Sequence, residues 1–307
     1  MNENFNENIL ITAEEEGQRL DKILAHRYQG HYSRTYFQSL IANHLILING
    51  EPVKKRTKLQ EGDEVEIEFV INEEADIVPE NIPLDIIYED DDLLAINKPV
   101  GMVVHPAIGN WKGTFVNALL YHCKELKSQE SLRPGIVHRL DKDTTGLLLA
   151  AKNSETQQKL IESFASRQMK KEYIAICVGN PGEGIIQAPI GRNPRHRQKM
   201  AVVEEKGRDA ETIQTLHYSQ GISIVKAAPK TGRTHQIRVH LKFRGSPVLG
   251  DVLYGSTHAN RYYHAHRQLL HAYSLEFTHP RTSETLRLIA PIPEDIMSYI
   301  PKHLEFS

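Results

Sequence analysis

At 307 residues the chain exceeds a typical single domain of about 100–200 residues, so two units and a sizeable core are expected. Its 40% hydrophobic and 25% charged residues are those of an ordinary soluble protein, and no stretch approaches the ~20 apolar residues of a membrane-spanning helix. Cys123 and Cys177 are too few for a disulfide framework and lack metal-ligand spacing; they are expected as small core residues. The opening MNENFNENIL has no basic stretch followed by an apolar run, so the expected location is cytoplasmic.

A net charge of −2 argues on its face against a polyanionic partner, yet the charges are segregated along the chain. Residues 61–95 hold fourteen acids and no Lys or Arg. Residues 17–60 hold eight Lys or Arg against Asp21 and Glu51, and 185–244 hold twelve against four acids. Because charges beyond about 10 Å are screened at physiological salt, two local basic surfaces can bind nucleic acid on a near-neutral protein. Solvated charged faces would give the same counts.

In chain order, residues 1–16 read as a polar tail or a single edge strand. Leu20, Ile23 and Leu24 recur at helical spacing, and Ser33 is a candidate cap before a second helix carrying Phe37, Leu40 and Ile41. Asn49-Gly50 within LILINGEPV predicts a two-residue hairpin, and EVEIEF alternates as a strand does. Arg19, Lys22, Arg34, Lys54, Lys55, Arg56 and Lys58 are then available to one face. The segments RLDKILAHR, SRTYFQSLIANHLILING and LQEGDEVEI resemble the RNA-binding module of ribosomal small-subunit protein four. The resemblance covers about sixty residues and implies an S4-like module at 17–78 that grips RNA phosphate.

The acidic stretch NEEADIVPENIPLD, with Pro79 and Pro83, suggests a linker at 79–84, leaving 85–307 as the larger body. There IIYEDDDLLAINKP reads as a strand, an acidic turn and a second strand. Helical spacing spans 114–121 and 155–165, and EYIAICVG, SIVKAAP, THQIRVHL, LLHAYSLEF and TLRLIAP alternate as strands. Strands outnumber helices without alternating with them. The expected class is therefore α+β: a small N-terminal αβ module and a body on a mixed, mainly antiparallel sheet.

Three segments concentrate functional residue types: NKPVGMVVHP at 97–106, HRLDKDTTGLLLAAK at 138–152 and TGRTHQIRVH at 231–240. Arg139 and Asp141, two apart, share a face if the chain is extended, and a carboxylate beside a guanidinium stays ionised and can act as nucleophile or base. A structural ion pair is the plainer account of the same spacing. Read as a strand, the third segment places Arg238 with Gln236, and His235 and His240 on opposite faces, which disfavours a metal pair. There is no P-loop and no GxGxxG, so neither a metal nor a nucleotide or redox cofactor is expected.

Together with KKEYIA, GSPVLGDVLYG and LHAYSLEFTHP, these segments resemble the RNA pseudouridine synthases of the RluA/RluD type across nearly the whole body. With the preceding module, the architecture is most similar to the RluD group. The resemblance implies isomerisation of specific uridines to pseudouridine in large-subunit (23S) ribosomal RNA or its precursor particle, by a monomer needing no cofactor; transfer RNA is the alternative substrate. It implies that Asp141 is the catalytic carboxylate, Arg139 enters the RNA stack, Tyr173 lies against the uracil and Arg238 pairs with Asp141, with His235 and Gln236 as further substrate-binding residues. The second Thr of TTG, Thr145, is Ser in many relatives, and both carry a small hydroxyl. A base that is detached, turned and rejoined through carbon must leave the helix, so an extruding side chain and a stacking face are required. Two rivals are a non-catalytic RNA-binding assembly factor, which leaves Asp141 unexplained, and a hydrolase using Asp141 and Asp143. Carboxylates two residues apart do not readily flank a bond at the separations of about 5 to 9 Å that such enzymes use.

Overall fold

A computed structural model describes residues 5–28, 34–54, 56–69, 77–106, 110, 112–128, 134–196, 199–205, 207–304 and 306. The chain divides into two compact units, Met1–Ile77 and Val78–Ser307.

The first unit runs β1 (Phe5–Leu10), α1 (Leu20–Arg27), α2 (Arg34–Ala42), β2 (Ile46–Ile48), β3 (Glu51–Pro52) and β4 (Glu64–Phe69). Its antiparallel sheet has the order β1-β4-β2-β3, so the first strand, within the stretch expected as a tail or a single edge strand, is an edge strand paired from Phe5↔Phe69 to Leu10↔Glu64. Alternation in EVEIEF buries Val65, Ile67 and Phe69 against Leu20, Leu24, Phe37 and Ile41 of the helix pair. Asn49 and Gly50 both take positive φ, 52° and 81°, as the hairpin requires. The candidate cap Ser33 lies outside the described residues.

Asp21 is wholly buried beneath the two helices, where it accepts from Arg19 (3.0 Å), Arg34 (2.9 Å) and Gln38 (2.7 Å). Burial alone would raise its pKa, but Arg34, Arg19 and Gln38 outweigh it and hold it at about 2. Two of the seven basic residues expected to face RNA therefore also hold Asp21, Arg34 doing so from the second helix, and Arg27 is likewise paired with Glu15.

The second unit continues with β5 (Ile86–Glu89), β6 (Leu93–Lys98), α3 (Phe115–His122), β7 (Thr145–Ala151), α4 (Ser154–Ala165) and β8 (Lys170–Val178). Then follow β9 (Gly184–Gln187), β10 (Ile190–Arg192), β11 (Met200–Val202), β12 (Glu211–Gln220) and β13 (Ile222–Pro229). The chain closes with α5 (Gln236–Phe243), α6 (Thr257–Tyr262), β14 (Leu270–Thr278), β15 (Thr285–Ile289) and α7 (Glu294–Met297). A nine-stranded sheet has the order β5-β6-β7-β14-β8-β13-β12-β9, with β15 added to β14. Its pairings are antiparallel except β7 with β14, so the mixed, mainly antiparallel α+β body is as expected. Residues before β5 belong to this unit: Asn117 donates to the Val78 carbonyl at 2.8 Å, and Glu80 N–H to the Asn117 carbonyl at 3.0 Å.

Every residue of β7 is buried, which is why GLLLAAK is continuously apolar rather than alternating. At its start the strand meets β14 through Thr145↔His271 and Gly146↔Ala272. Gly146 has φ +105°, and a Cβ there would fall 2.2 Å from the Ala272 carbonyl oxygen, so only glycine allows this junction. Cys123 and Cys177 are both buried and unpaired by disulfide, as expected of core residues. Among the described residues no helix is long and apolar enough to cross a membrane.

Candidate active site

Just before that junction, the 138–144 segment leaves the sheet as a turn. Lys98, wholly buried at the end of β6, donates through Nζ to the carbonyls of Pro99 (2.8 Å), Met102 (2.9 Å) and Lys142 (2.9 Å). The Gly101 N–H reaches the same Lys142 carbonyl at 3.0 Å. Burial lowers the Lys98 pKa to about 7; the negative charge of Asp143 opposes this. On the other side, Arg267 Nη1 donates to the Asp143 carbonyl (3.0 Å) and Gln268 to the Thr144 hydroxyl (3.2 Å). The Thr145 hydroxyl hydrogen-bonds His271 at 2.9 Å, a contact that a serine at this position can also make. The turn that carries Asp141 is thus held from both sides.

Asp141 faces Arg238. The Arg238 Nη1 donates to Asp141 Oδ2 at 2.7 Å, while Nε and Nη2 donate to Asp251 Oδ2 and Oδ1 at 2.7 and 3.0 Å. Asp251 also accepts the backbone N–H groups of Leu253 (2.8 Å) and Tyr254 (3.0 Å), and the guanidinium lies 5.1 Å from the Tyr254 ring centre. Burial would lower the Arg238 pKa, but the two carboxylates more than reverse it. Asp251 is driven up by burial and further down by Arg238, so it is ionised. Of the three charged side chains, only Asp141 reaches solvent, at 22% exposure against 3% for Arg238 and 0% for Asp251.

Arg238 and Gln236 lie on α5, not on the strand that alternation predicted for THQIRVHL. Its apolar residues Ile237, Val239, Leu241 and Phe243 fall at every second position and the polar Gln236, Arg238 and His240 between them are buried too, so the short helix alternates in sequence as a strand would. The helix is preceded by His235 in the left-handed conformation, φ 56° and ψ 21°, sparsely populated outside glycine. That residue turns its ring toward the site, with Nδ1 2.8 Å from the Tyr254 hydroxyl and Nε2 3.9 Å from Asp141 Oδ1. Burial lowers its pKa, which Asp141 only partly offsets, so the ring is neutral at pH 7.

The Gln236 amide spends its hydrogen bonds on the protein. It accepts from the Thr231 hydroxyl (2.6 Å) and Arg233 N–H (3.0 Å), and donates to the Glu211 carbonyl (2.9 Å) and the Thr212 hydroxyl (3.0 Å). His240 is similarly engaged by Thr212 and the Ala188 carbonyl. Tyr173, on β8, has its pKa raised by burial and then by the charge of Asp141. Arg139 is exposed, and among the described residues no ion pair joins it to Asp141, whose partner comes from 97 residues further along the chain.

Arg139, Asp141, Tyr173, His235, Gln236 and Arg238 all line one cavity of about 500 Å³. The sequence reading singled out neither Asp251 nor Tyr254, although both stand in the GDVLYG segment, nor Lys98 in NKPVG. Two other groupings have metal-ligand residue types, Asp90 with Asp92 and His279, and Glu89 with His122 and Cys123. Their carboxylates are engaged by Tyr88, Arg281 and Lys152, and none of them lines the cavity.

Residues 92–243 match the RNA pseudouridylate synthase family and residues 18–65 the S4 domain. The chain is 42% identical over 296 residues to the uncharacterized RNA pseudouridine synthase YlyB of Bacillus subtilis, covering 94% of this chain and 96% of that protein. It is 41% identical over 300 residues to ribosomal large subunit pseudouridine synthase D of Neisseria meningitidis, covering 94% and 79%. The structure of human RNA pseudouridylate synthase domain containing 4 superposes with a TM-score of 0.55 at 27% identity, over 69% of this chain and 90% of that one. With relatives this similar along nearly its whole length, the chain belongs to the RNA pseudouridine synthases, isomerases that carry here an S4 RNA-binding domain ahead of the catalytic unit.

Proposed function

We propose that the protein isomerises specific uridines of large-subunit ribosomal RNA, as a cytoplasmic monomer, with Asp141 as the catalytic carboxylate. One observation carries this reading: the only solvent-reaching carboxylate of the Asp141–Arg238–Asp251 cluster stands in the wall of the cavity, hydrogen-bonded at 2.7 Å to a guanidinium that is itself locked. Three routes use such a group. It can add to the anomeric carbon of the ribose, add to the uracil ring, or withdraw the ribose two-prime proton to give a glycal. Each needs the carboxylate aimed at the nucleotide, and the Arg238 hydrogen bond at 2.7 Å aims it. After the uracil turns and the carbon–carbon bond forms, a proton leaves carbon five to a general base.

The other residues divide into those that touch the nucleotide and those that hold them. Tyr173 supplies the face for the displaced uracil, and exposed Arg139 fills the place it leaves in the RNA stack. Neutral His235 offers a ring nitrogen beside Asp141. Gln236, its amide saturated, is a positioning residue for the 231–235 loop, and Asp251 and Lys98 position Arg238 and the Asp141 turn.

The test is tritium release from RNA labelled at carbon five of uridine. Wild type is expected to release tritium from large-subunit ribosomal RNA and not from transfer RNA, and Asp141→Asn to bind RNA without release. Release from transfer RNA alone would reassign the substrate, and release by Asp141→Asn would remove Asp141 from the chemistry.

A further inference from the structure

The cavity does not end at Asp141 and Tyr173. It continues along the end of α4 and the start of β8, where Phe164, Arg167, Lys171 and Lys230 line it. On a strand, side chains two residues apart share a face, so Lys171 projects with Tyr173 while Lys170 and Glu172 project to the opposite side. The opposite side is electrically complete: Lys170 pairs with Glu276 at 2.5 Å, and Glu172 with Lys226 at 3.1 Å and with Ser274 at 2.8 Å. The face toward the cavity is not.

Lys171 is half-buried, and among the described residues its ammonium has neither a carboxylate nor a hydrogen-bond acceptor. The ammonium lies over an aromatic face, the Phe164 ring, whose centre is 5.9 Å from Nζ. That ring is in turn fixed by stacking on His138, with 4.6 Å between centroids and 25° between planes. His138 cannot supply a negative charge; its Nε2 accepts the Leu149 N–H at 2.8 Å, and burial holds it neutral. The charge that acts on Lys171 is that of another cation, Lys230, and burial together with that neighbour brings the Lys171 pKa down to about 8.

Arg167 adds a third cation at the end of α4. It has φ 62°, at the position just past a helix where glycine or asparagine is the favoured residue. Its positive charge suits the end of a helix, and its side chain lines the same cavity.

Three cations converge on one wall, one of them held half-buried without a counter-charge, beside an aromatic platform and on the strand face that carries Tyr173. Two residues along a strand span about 7 Å, so a nucleotide stacked at Tyr173 brings its adjoining linkage to Lys171. We propose that Lys171, with Lys230 and Arg167, binds a backbone phosphate of the RNA strand next to the nucleotide held at Asp141 and Tyr173. This rests on the RNA-modifying reading above and adds to it a specific anion subsite.

The experiment measures binding of a large-subunit ribosomal RNA transcript to the full-length protein as salt is raised, with tritium release and the unfolding midpoint recorded on the same samples. Lys171→Met keeps the stem packed on Phe164 and removes only the charge. It is expected to weaken binding about tenfold at low salt, raise KM in parallel, and flatten the slope of log affinity against log salt by roughly 0.7 to 0.9, one phosphate's worth. Lys171→Arg is expected to restore the slope. Lys230→Ala and Arg167→Gly act in the same direction with smaller effect, and glycine at 167 leaves the unfolding midpoint unchanged or higher because it suits the backbone. Lys124→Ala, at an exposed lysine outside the cavity, leaves the slope as it was. Tritium release by wild type with unaltered slopes and KM in the Lys171, Lys230 and Arg167 variants would overturn the phosphate subsite alone. Flattened slopes without any release by wild type would overturn the reaction and leave the subsite standing.

Discussion

Arg238 and Asp251 form a bidentate pair, Nε to Oδ2 at 2.7 Å and Nη2 to Oδ1 at 3.0 Å, which leaves Nη1 as the donor that reaches Asp141. A guanidinium is planar, so fixing one edge fixes where the remaining donor points. Asp251 thereby aims a group it never touches. Asp251→Asn is expected to lower turnover at least tenfold and to destabilise the catalytic unit by about 3 kcal/mol, because a buried charge loses its partner. Asp141→Asn, at a partly exposed side chain whose partner keeps Asp251, is expected to abolish turnover while changing stability by less than about 1 kcal/mol. Tritium release and urea unfolding on both variants separate the two roles; equal turnover in wild type and Asp251→Asn would remove the aiming role.

Four histidines of the catalytic unit, His240 and His271 buried and His138 and His235 half-buried, have lowered pKa values through desolvation first: His138 to about 3, His271 to about 4, and His235 and His240 downward. They are neutral when folded, and the unfolded chain takes up their protons first as pH falls below about 6.5. Stability of this unit is therefore expected to fall on acidification from pH 7 to 5, by up to about 1.4 kcal/mol per pH unit for each histidine. Denaturant unfolding at the two pH values checks the slope. His271→Asn should flatten it, and an unchanged slope would mean that His271 is already protonated in the folded state.

At the β7–β14 junction, Gly146→Ala puts a Cβ 2.2 Å from the Ala272 carbonyl oxygen on a backbone of φ +105°. The sheet cannot yield there without breaking its one parallel pairing. A loss of more than about 3 kcal/mol is expected, with activity lost alongside, since Asp141 lies five residues upstream. A variant with the wild-type unfolding midpoint would show that the junction relaxes.

In the small unit the Asp21 cluster makes an acid-sensitive anchor. Its folded pKa of about 2 lies below the ordinary 3.8, so its contribution is complete above about pH 4 and is lost as pH falls toward 2. Asp21→Ala is expected to cost this unit about 3 kcal/mol at pH 7 and to remove the acid step. Heat denaturation followed across pH 2 to 6 distinguishes this from a contact of no energetic weight.

Removal of residues 1–77 is expected to weaken RNA binding and relax site selection while the chemical step persists at saturating RNA. Total loss of tritium release from folded Val78–Ser307 would show that the small unit takes part in the reaction itself.

Local chemistry was legible in the sequence wherever a few neighbouring residues decide the outcome. Asn49-Gly50 predicted its hairpin because only residues tolerant of positive φ close a two-residue turn, and EVEIEF predicted its strand because one face is buried and the other is not. The six candidate site residues came from short segments whose resemblance to a known family is specific, and all six line one cavity. Alternation failed at THQIRVHL because Ile237, Val239 and Leu241 stand at every second position, a pattern that a helix of only eight residues can carry as readily as a strand. It also paired Asp141 with Arg139, its neighbour in sequence.

What only the tertiary structure decided is what holds the charged pair in place. The Asp141–Arg238 pair that the family resemblance implied closes across 97 residues of chain, Arg238 is aimed by Asp251, and Lys98 ties the Asp141 turn to the 99–102 loop through the carbonyls of Lys142, Pro99 and Met102. Periodicity and spacing describe neighbours along the chain, but the pairing of buried charges follows from where the sheet and its helices bring distant segments together. There, desolvation makes an unpaired charge too costly to leave alone, so the partner is set by packing rather than by order in the sequence.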